Sequence, residues 1–203
     1  GRGLSYWTDG KGDERILYVT TGYRLVALNA KNGQPIAGFG TAGVVDLKQG
    51  VLINGKQADL EKSEIGLHST PTIVNDMVIV GSSMFEGLGY TYSTNVKGNV
   101  RAFDVRTGKK VWQFDTMPGP GEKFHETWEN GSWNWTGNTG VWTQITADPV
   151  AGLVYLAVES PTIDEYGGNR LGDNLFAESL VAVDLKTGKY KWHFQFVHHP
   201  IWD

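Results

Sequence analysis

The 203-residue chain contains no cysteine, no long apolar run and no cluster of basic residues. Without cysteine it forms no disulfide, although this absence does not argue against export. No apolar run approaches the roughly 18 residues of a membrane-spanning helix. These residues contain no signal peptide, but a missing N-terminus would remove one. No cluster of Lys and Arg occurs and the formal net charge is −4, so a nucleic-acid partner has little support. Membrane association would therefore depend on segments outside this chain.

A long helical stripe is also missing, because no apolar pattern follows a period of about 3.6 residues over several turns. The pattern allows only one short helical turn, near residues 58–63. The chain instead has 27 Gly and eight residues each of Trp, Tyr and Phe. Glycine together with aromatic residues favours turn-rich sheets, so we expect an all-β fold.

One motif occurs three times. It reads LVALNAKNGQPIAGF at 25–39, VRAFDVRTGKKVWQF at 100–114 and LVAVDLKTGKYKWHF at 180–194. The shared glycines are Gly33, Gly108 and Gly188, so the spacing is 75 and then 80 residues. Similarity at a nearly fixed period is the signature of a repeat architecture.

Each copy has the pattern of a β-hairpin. In the third copy, an apolar strand ends at Asp184, a turn follows, and aromatic residues then alternate with polar ones from Tyr190. Alternation with period two is typical of a half-buried strand. Gly188 suits a positive φ in the turn, and the Asp184 and Thr187 side chains can bond its backbone.

A pair of apolar strands precedes each hairpin, for example around residues 72–80, so each unit should be a four-stranded antiparallel blade. Blades arranged radially form a β-propeller. Closed propellers need at least about four blades, and this chain accommodates about two and a half. We therefore expect residues 1–203 to be one incomplete propeller domain.

Two long insertions, 46–64 and 116–139, interrupt the blades. Loops longer than about 12–15 residues are usually functional or disordered. The second insertion contains Trp128, Trp133 and Trp135 beside Glu122 and His125. Because tryptophan tends to be buried, we expect this loop to pack over a site.

Several chemically distinctive residues fall where blade strands end, namely Arg2, His68, Ser83, Glu86, Trp142, Ser160 and Asp203. Together with the Ala-x-Asp-x-x-Thr-Gly-Lys-x-x-Trp repeat, they resemble the quinoprotein dehydrogenases, whose propellers carry pyrroloquinoline quinone (PQQ). The repeat is similar to that family's tryptophan-docking motif. The likeness covers nearly the whole chain, and the ending from Trp192 to Asp203 is most similar to the membrane-associated glucose dehydrogenase branch. The resemblance implies an eight-bladed parent.

The resemblance assigns PQQ-binding roles to four of these residues. Arg2 would bond the cofactor, for which a planar guanidinium suits carboxylate or quinone oxygens. His68 and Ser83 would face the rim of the cofactor. Trp142 would lie flat beneath the PQQ ring, since a broad aromatic face stacks on a planar tricycle.

The resemblance also implies a metal ion, with calcium expected rather than a lanthanide. Glu86 would be its acidic ligand, and calcium prefers carboxylate and carbonyl oxygens. Ser160 stands where many relatives carry an Asn ligand, so either water or the neighbouring Glu159 would complete the shell. Strand alternation, however, should direct Glu159 and Ser160 to opposite faces unless Pro161 bends the chain. Asp203 would be both a metal ligand and the catalytic base.

The implied activity is oxidation of an aldose, polyol or alcohol. Asp203 takes the hydroxyl proton while hydride passes to the quinone, and the electrons leave to ubiquinone or a cytochrome. Residues 116–139 and 163–176 would contact the substrate. The location would be the periplasm or a periplasm-facing membrane.

A non-catalytic propeller scaffold for protein–protein interaction in the cell envelope is the alternative, but a scaffold does not need Glu86, Trp142 and Asp203 at blade ends.

Overall fold

The computed structural model describes residues 3–53, 55–62, 65–84, 96–164 and 166–200. In these ranges the chain forms three four-stranded antiparallel sheets whose strands follow one another in sequence order. The all-β fold of four-stranded blades predicted from the repeats is therefore confirmed.

The strands of the blades and of two small sheets have the following bounds. Blade 1 consists of β1 Ser5–Thr8, β2 Glu14–Val19, β3 Arg24–Asn29 and β4 Val44–Asp46. The connection to blade 2 contains β5 Leu52–Ile53, β6 Lys56–Gln57 and β7 Ile65–Gly66. Blade 2 consists of β8 Thr72–Val74, β9 Met77–Val80, β11 Asn99–Asp104 and β12 Lys110–Asp115, and β10 Ser83–Met84 pairs with β7. Blade 3 consists of β13 Thr146–Asp148, β14 Leu153–Val158, β15 Ser179–Asp184 and β16 Tyr190–Gln195.

The hydrophobic cores lie between adjacent blades. Successive residues of a strand point to opposite faces of a sheet, so β9 directs Val78 and Val80 into the core shared with blade 1 and Ile79 into the core shared with blade 3. On β11, Phe103 joins the first core and Ala102 the second. Blade 2 is thus covered on both faces, which explains the nearly continuous burial of β11.

The repeated turn has the predicted chemistry. Gly188 has a φ of +68°, a conformation that residues with a side chain adopt only at a cost. Asp184 accepts hydrogen bonds at Oδ1 from the backbone N–H groups of Lys186 and Thr187 and from the Thr187 hydroxyl. These short-range bonds hold the hairpin between β15 and β16.

A tryptophan of one blade rests on the turn of the next. The Trp112 side chain is 6% exposed, and its Nε1 donates to the Leu185 carbonyl oxygen at 2.9 Å. A Cβ atom on Gly188 would lie 2.7 Å from the Trp112 ring. The repeat therefore supplies both halves of the contact, an indole from one blade and a bare turn glycine from its neighbour.

The first repeat makes the same contact with different residues. It has Ala37 where the later copies have Trp112 and Trp192. Phe39 takes over the packing, since a Cβ on Gly108 would lie 3.3 Å from the Phe39 ring and 2.7 Å from Val45. The Gly40 N–H also donates to the Thr107 carbonyl oxygen at 2.9 Å.

Helical structure is confined to the Trp-rich insertion, within the described ranges. Two 3₁₀ segments occur there, at His125–Thr127 and Glu129–Asn134. Of residues 58–63, where a short helical turn was possible, residues 60–62 form a turn, and residue 63 lies outside the described residues. Both 3₁₀ segments are far too short to cross a bilayer, so the described ranges contain no candidate membrane span.

We predict that Gly188→Ala destabilises the protein more than Gly152→Ala. Both glycines have a φ close to +70°, so each substitution carries a left-handed backbone cost of about 1–2 kcal/mol. No atom lies within 4 Å of a Cβ on Gly152, whereas a Cβ on Gly188 would displace Trp112. The measurement is the free energy of unfolding of both variants in urea, and equal losses would contradict this account of docking.

Candidate functional site

The end of β9 meets the segment that precedes β13 by direct backbone contact between blades 2 and 3. A Cβ atom on Gly81 would lie 1.9 Å from the Val141 carbonyl oxygen, and one on Gly140 would lie 2.2 Å from the Ser82 carbonyl oxygen. Neither position can hold a larger residue without movement of the backbone. We call Gly81, Ser82, Gly140 and Val141 the glycine seam.

The seam brings three predicted site segments together. Ser83 follows it directly on the blade 2 side, and Trp142 follows it directly on the blade 3 side. The segment at the end of β14 joins them, because the Glu159 N–H donates to the Gly140 carbonyl oxygen at 3.1 Å. The Thr139 N–H likewise donates to the Ser160 carbonyl oxygen at 3.2 Å. The segments that carry Ser83, Trp142 and Ser160 are therefore neighbours.

His68 lies beside this group rather than within the seam. Ser83 on β10 pairs with Gly66 on β7, two residues before His68. The His68 side chain is exposed. Arg2 lies outside the described residues, but Gly3 next to it packs against Thr70, so the N-terminal segment reaches the same connection.

Trp142 is more exposed than the tryptophans buried within the described residues. Its side chain is 41% exposed, as is that of Trp192 on β16, whereas those of Trp7, Trp112 and Trp128 are 3–6% exposed. An indole that is not used in a blade core has a face available for stacking. This observation supports the predicted fit of a planar cofactor at the seam.

Ser160 and Glu159 have different neighbours. The Ser160 hydroxyl donates to Glu178 Oε1 at 2.7 Å. Glu159 instead directs Oε1 towards Gly140, where a Cβ would lie 2.6 Å from it. Glu178 was not identified from the sequence, because it has no motif and lies 18 residues from Ser160.

The hydroxyl oxygen of Ser160 is able to act as a ligand of a metal cation. A hydroxyl has one hydrogen and two lone pairs, and here the hydrogen is directed to Glu178, so the lone pairs remain for another partner. Within the described ranges no group of three or more His, Asp or Glu side chains forms a metal site. Glu86 and Asp203, which the resemblance assigns to the metal, lie outside those ranges, so their roles stay predictions.

The Trp-rich loop is packed, while its predicted position over a site stays a prediction. Trp128 is 3% exposed, and its Nε1 donates to the Leu175 carbonyl oxygen at 2.7 Å. Lys97 holds the far part of the loop, since its Nζ donates to the carbonyl oxygens of Trp133 and Thr136 at 2.7 and 2.9 Å. Nζ also lies 4.1 Å from the centre of the Trp133 ring. Burial lowers the pKa of Lys97 to about 8.

We predict that the free energy of unfolding rises with pH between pH 8 and pH 10.5, and that this rise is smaller in Lys97→Met. In this window the unfolded chain keeps Lys97 protonated, because the ordinary pKa is 10.5, while the folded chain has lost that proton. Stability rises with pH wherever the unfolded state binds more protons. The measurement is the free energy of unfolding across this range, with the exposed Lys56→Met as control. Parallel curves for the wild type and Lys97→Met would contradict the assignment.

Comparisons with known proteins identify the family of this chain. The family model described as PQQ glucose/ethanol/alcohol dehydrogenase, beta-propeller domain, matches residues 1–203. The dehydrogenase subunit of alcohol dehydrogenase (quinone) from Gluconacetobacter polyoxogenes is 35% identical over 219 residues, which cover 100% of this chain and 26% of that protein. Quinoprotein glucose dehydrogenase of Escherichia coli (strain K12) is 33% identical over 194 residues, which cover 93% of this chain and 22% of that protein.

A solved structure has the same fold. Quinohemoprotein alcohol dehydrogenase from Comamonas testosteroni matches with a TM-score of 0.77 at 26% identity, and the match covers 100% of this chain and 28% of that chain. The present chain thus spans about a quarter of the length of these relatives. The family model matches this chain over all 203 residues, and the repeats and the docked blades agree with it. The chain therefore belongs to the PQQ-dependent dehydrogenases, as part of their β-propeller domain.

Proposed function

We propose that the whole protein oxidises an aldose, polyol or alcohol with PQQ as cofactor, and that this chain contributes one wall of the cofactor site. The observation that carries the proposal is the exposed indole of Trp142, held beside the glycine seam in a chain that belongs to this family. The relatives named above are alcohol and glucose dehydrogenases, so neither substrate class is preferred by similarity alone.

In this proposal the chain's residues bind PQQ from three sides. Trp142 stacks beneath the ring, Ser83 and His68 contact its rim, and Arg2 bonds its carboxylate or quinone oxygens. An arginine fork matches such oxygens in geometry and charge. When bound, PQQ supplies the hydride acceptor, which is chemistry that no side chain provides.

Calcium is the proposed metal, held by Glu86, Ser160 and Asp203. All three offer the oxygen ligands that this ion prefers. The hydrogen bond from Ser160 to Glu178 supports the role of Ser160, because it directs the hydroxyl hydrogen away from the lone pairs. A bound cation would supply Lewis acidity and favour the ionised form of neighbouring carboxylates.

Asp203 is the proposed proton acceptor. The substrate hydroxyl must lose a proton as its carbon gives up hydride, and a positioned carboxylate serves as general base. Residues 116–139 and 163–176 are the proposed substrate-contacting loops. The electron acceptor is proposed to be ubiquinone or a cytochrome, and the location the periplasm or a periplasm-facing membrane.

We expect Trp142→Leu in the full-length protein to weaken PQQ binding by roughly 10-fold, the equivalent of about 1.4 kcal/mol. The reason is the loss of an aromatic face from the cofactor site. Titration of the apoprotein with PQQ in the presence of calcium measures the affinity. Trp192→Leu is the matched control, because Trp192 has the same 41% exposure but lies on the outer strand β16. If Trp142→Leu binds PQQ no more weakly than Trp192→Leu does, Trp142 does not belong to the site.

We expect Asp203→Asn to lower turnover of an artificial dye, with an aldose or an alcohol as substrate, by about 10²–10⁴-fold. An amide has the shape of the carboxylate but cannot accept the proton. Asp59→Asn, at an exposed turn, is the control and should keep full turnover. Unchanged turnover of Asp203→Asn would show that another group is the base. A full-length wild type that binds no PQQ would instead support the scaffold alternative.

A further inference from the structure

Tyr23 reaches from blade 1 to the glycine seam between blades 2 and 3. It lies in the turn between β2 and β3, and its side chain is 0% exposed. Its hydroxyl donates to the Gly81 carbonyl oxygen at 2.9 Å. The two residues are 58 positions apart in the chain, so this bond is a tertiary contact between blades and not a feature of the local turn.

Arg101 determines the direction of the Tyr23 hydroxyl. Arg101 lies on β11 with 4% exposure, and its Nη2 donates to the Leu47 carbonyl oxygen at 2.7 Å and to the Tyr23 hydroxyl oxygen at 3.1 Å. A guanidinium group can only donate. The Tyr23 oxygen must therefore accept from Arg101, and its own hydrogen is committed to Gly81. The three groups form one directed chain of hydrogen bonds.

The next residue of the seam is fixed from blade 2 itself. The Ser82 hydroxyl donates to the Asn99 carbonyl oxygen at 3.1 Å and accepts from the Asn99 N–H at 3.1 Å. Gly81 has its carbonyl held from the other side by Tyr23. Two consecutive residues are thus anchored by two different blades, directly before Ser83.

The anchored residues contact the segment that carries Trp142. Gly81 packs on the Val141 carbonyl, and Gly140 packs on the Ser82 carbonyl. Because no side chain lies between these backbones, there is no flexible group that could absorb a displacement. A shift of residues 81 and 82 must be followed by residues 140 and 141, and hence by Trp142.

We propose that Tyr23, oriented by Arg101, is a positioning residue for the cofactor-binding ends of blades 2 and 3. It acts through Gly81 and the seam and does not itself contact the cofactor. The inference rests on the proposed function only in that Ser83 and Trp142 bind PQQ. The geometric part, that Tyr23 holds the seam, is independent of that function.

The first test is amide hydrogen exchange in the full-length protein without cofactor. Tyr23→Phe keeps the buried ring but leaves the Gly81 carbonyl without its donor, and an unpaired buried group is costly. We expect faster exchange in residues 81–84 and 139–142 of this variant. Tyr18→Phe, on β2 of the same blade and half-buried, is the matched control and should leave exchange at both segments unchanged.

The second test is the affinity of the same variants for PQQ. We expect Tyr23→Phe to raise the Kd by roughly 10-fold, about 1.4 kcal/mol, with Tyr18→Phe at the wild-type value. Arg101→Lys should act in the same direction, because a single ammonium group cannot reproduce the planar fork. The free energy of unfolding is measured in parallel, since a purely structural role would lower it and leave the Kd unchanged.

The outcomes separate this inference from the proposed function. If the wild type binds no PQQ, the proposed function fails, while the exchange rates still decide whether Tyr23 holds the seam. If the wild type binds PQQ and Tyr23→Phe binds it equally well, with unaltered exchange at residues 81–84 and 139–142, the positioning role is wrong. Faster exchange of Tyr23→Phe that is confined to residues 20–25 would also contradict the positioning role, because the substitution would then affect blade 1 and not the seam.

Discussion

Close approach between blades, at positions where a residue has no side chain, is the constraint on which this structure depends. Trp112 rests on the bare turn at Gly188, and Phe39 rests in the same way on Gly108. Each contact sets the distance from one sheet to the next, and the apolar cores fill the space that this distance defines. A propeller blade therefore depends on its neighbour for stability, because a four-stranded sheet alone leaves its apolar faces exposed to water.

The same kind of contact arranges the candidate site. At the glycine seam two backbones touch directly, and the residues that follow the seam are Ser83 and Trp142. Backbone contact places these side chains with less freedom than a contact between long side chains allows. The blade cores use other tryptophans, so the indole of Trp142 stays 41% exposed. Glycine and tryptophan thus serve both the packing between blades, where the indole is buried, and the candidate site, where it is exposed.

Much of the fold was predictable because it depends on short-range chemistry. The Asp184 cap, the positive φ of Gly188 and the period-two alternation of β16 all involve residues within a few positions of one another. Near residues 58–63 the described residues form a turn and no regular helix, because so few residues rarely overcome the cost of helix nucleation.

By itself the sequence determined the blade, its turns and the repeat that stacks blades, since each of these depends on local periodicity and turn chemistry. The family was indicated separately, by the resemblance of its motifs. Only the tertiary structure decided that Tyr23 bonds Gly81, that Arg101 orients that bond, and that Ser160 bonds Glu178. These partners are 58, 78 and 18 residues apart. Such pairs leave no periodic trace in a single sequence, because their meeting depends on how whole blades pack and not on how any one strand forms.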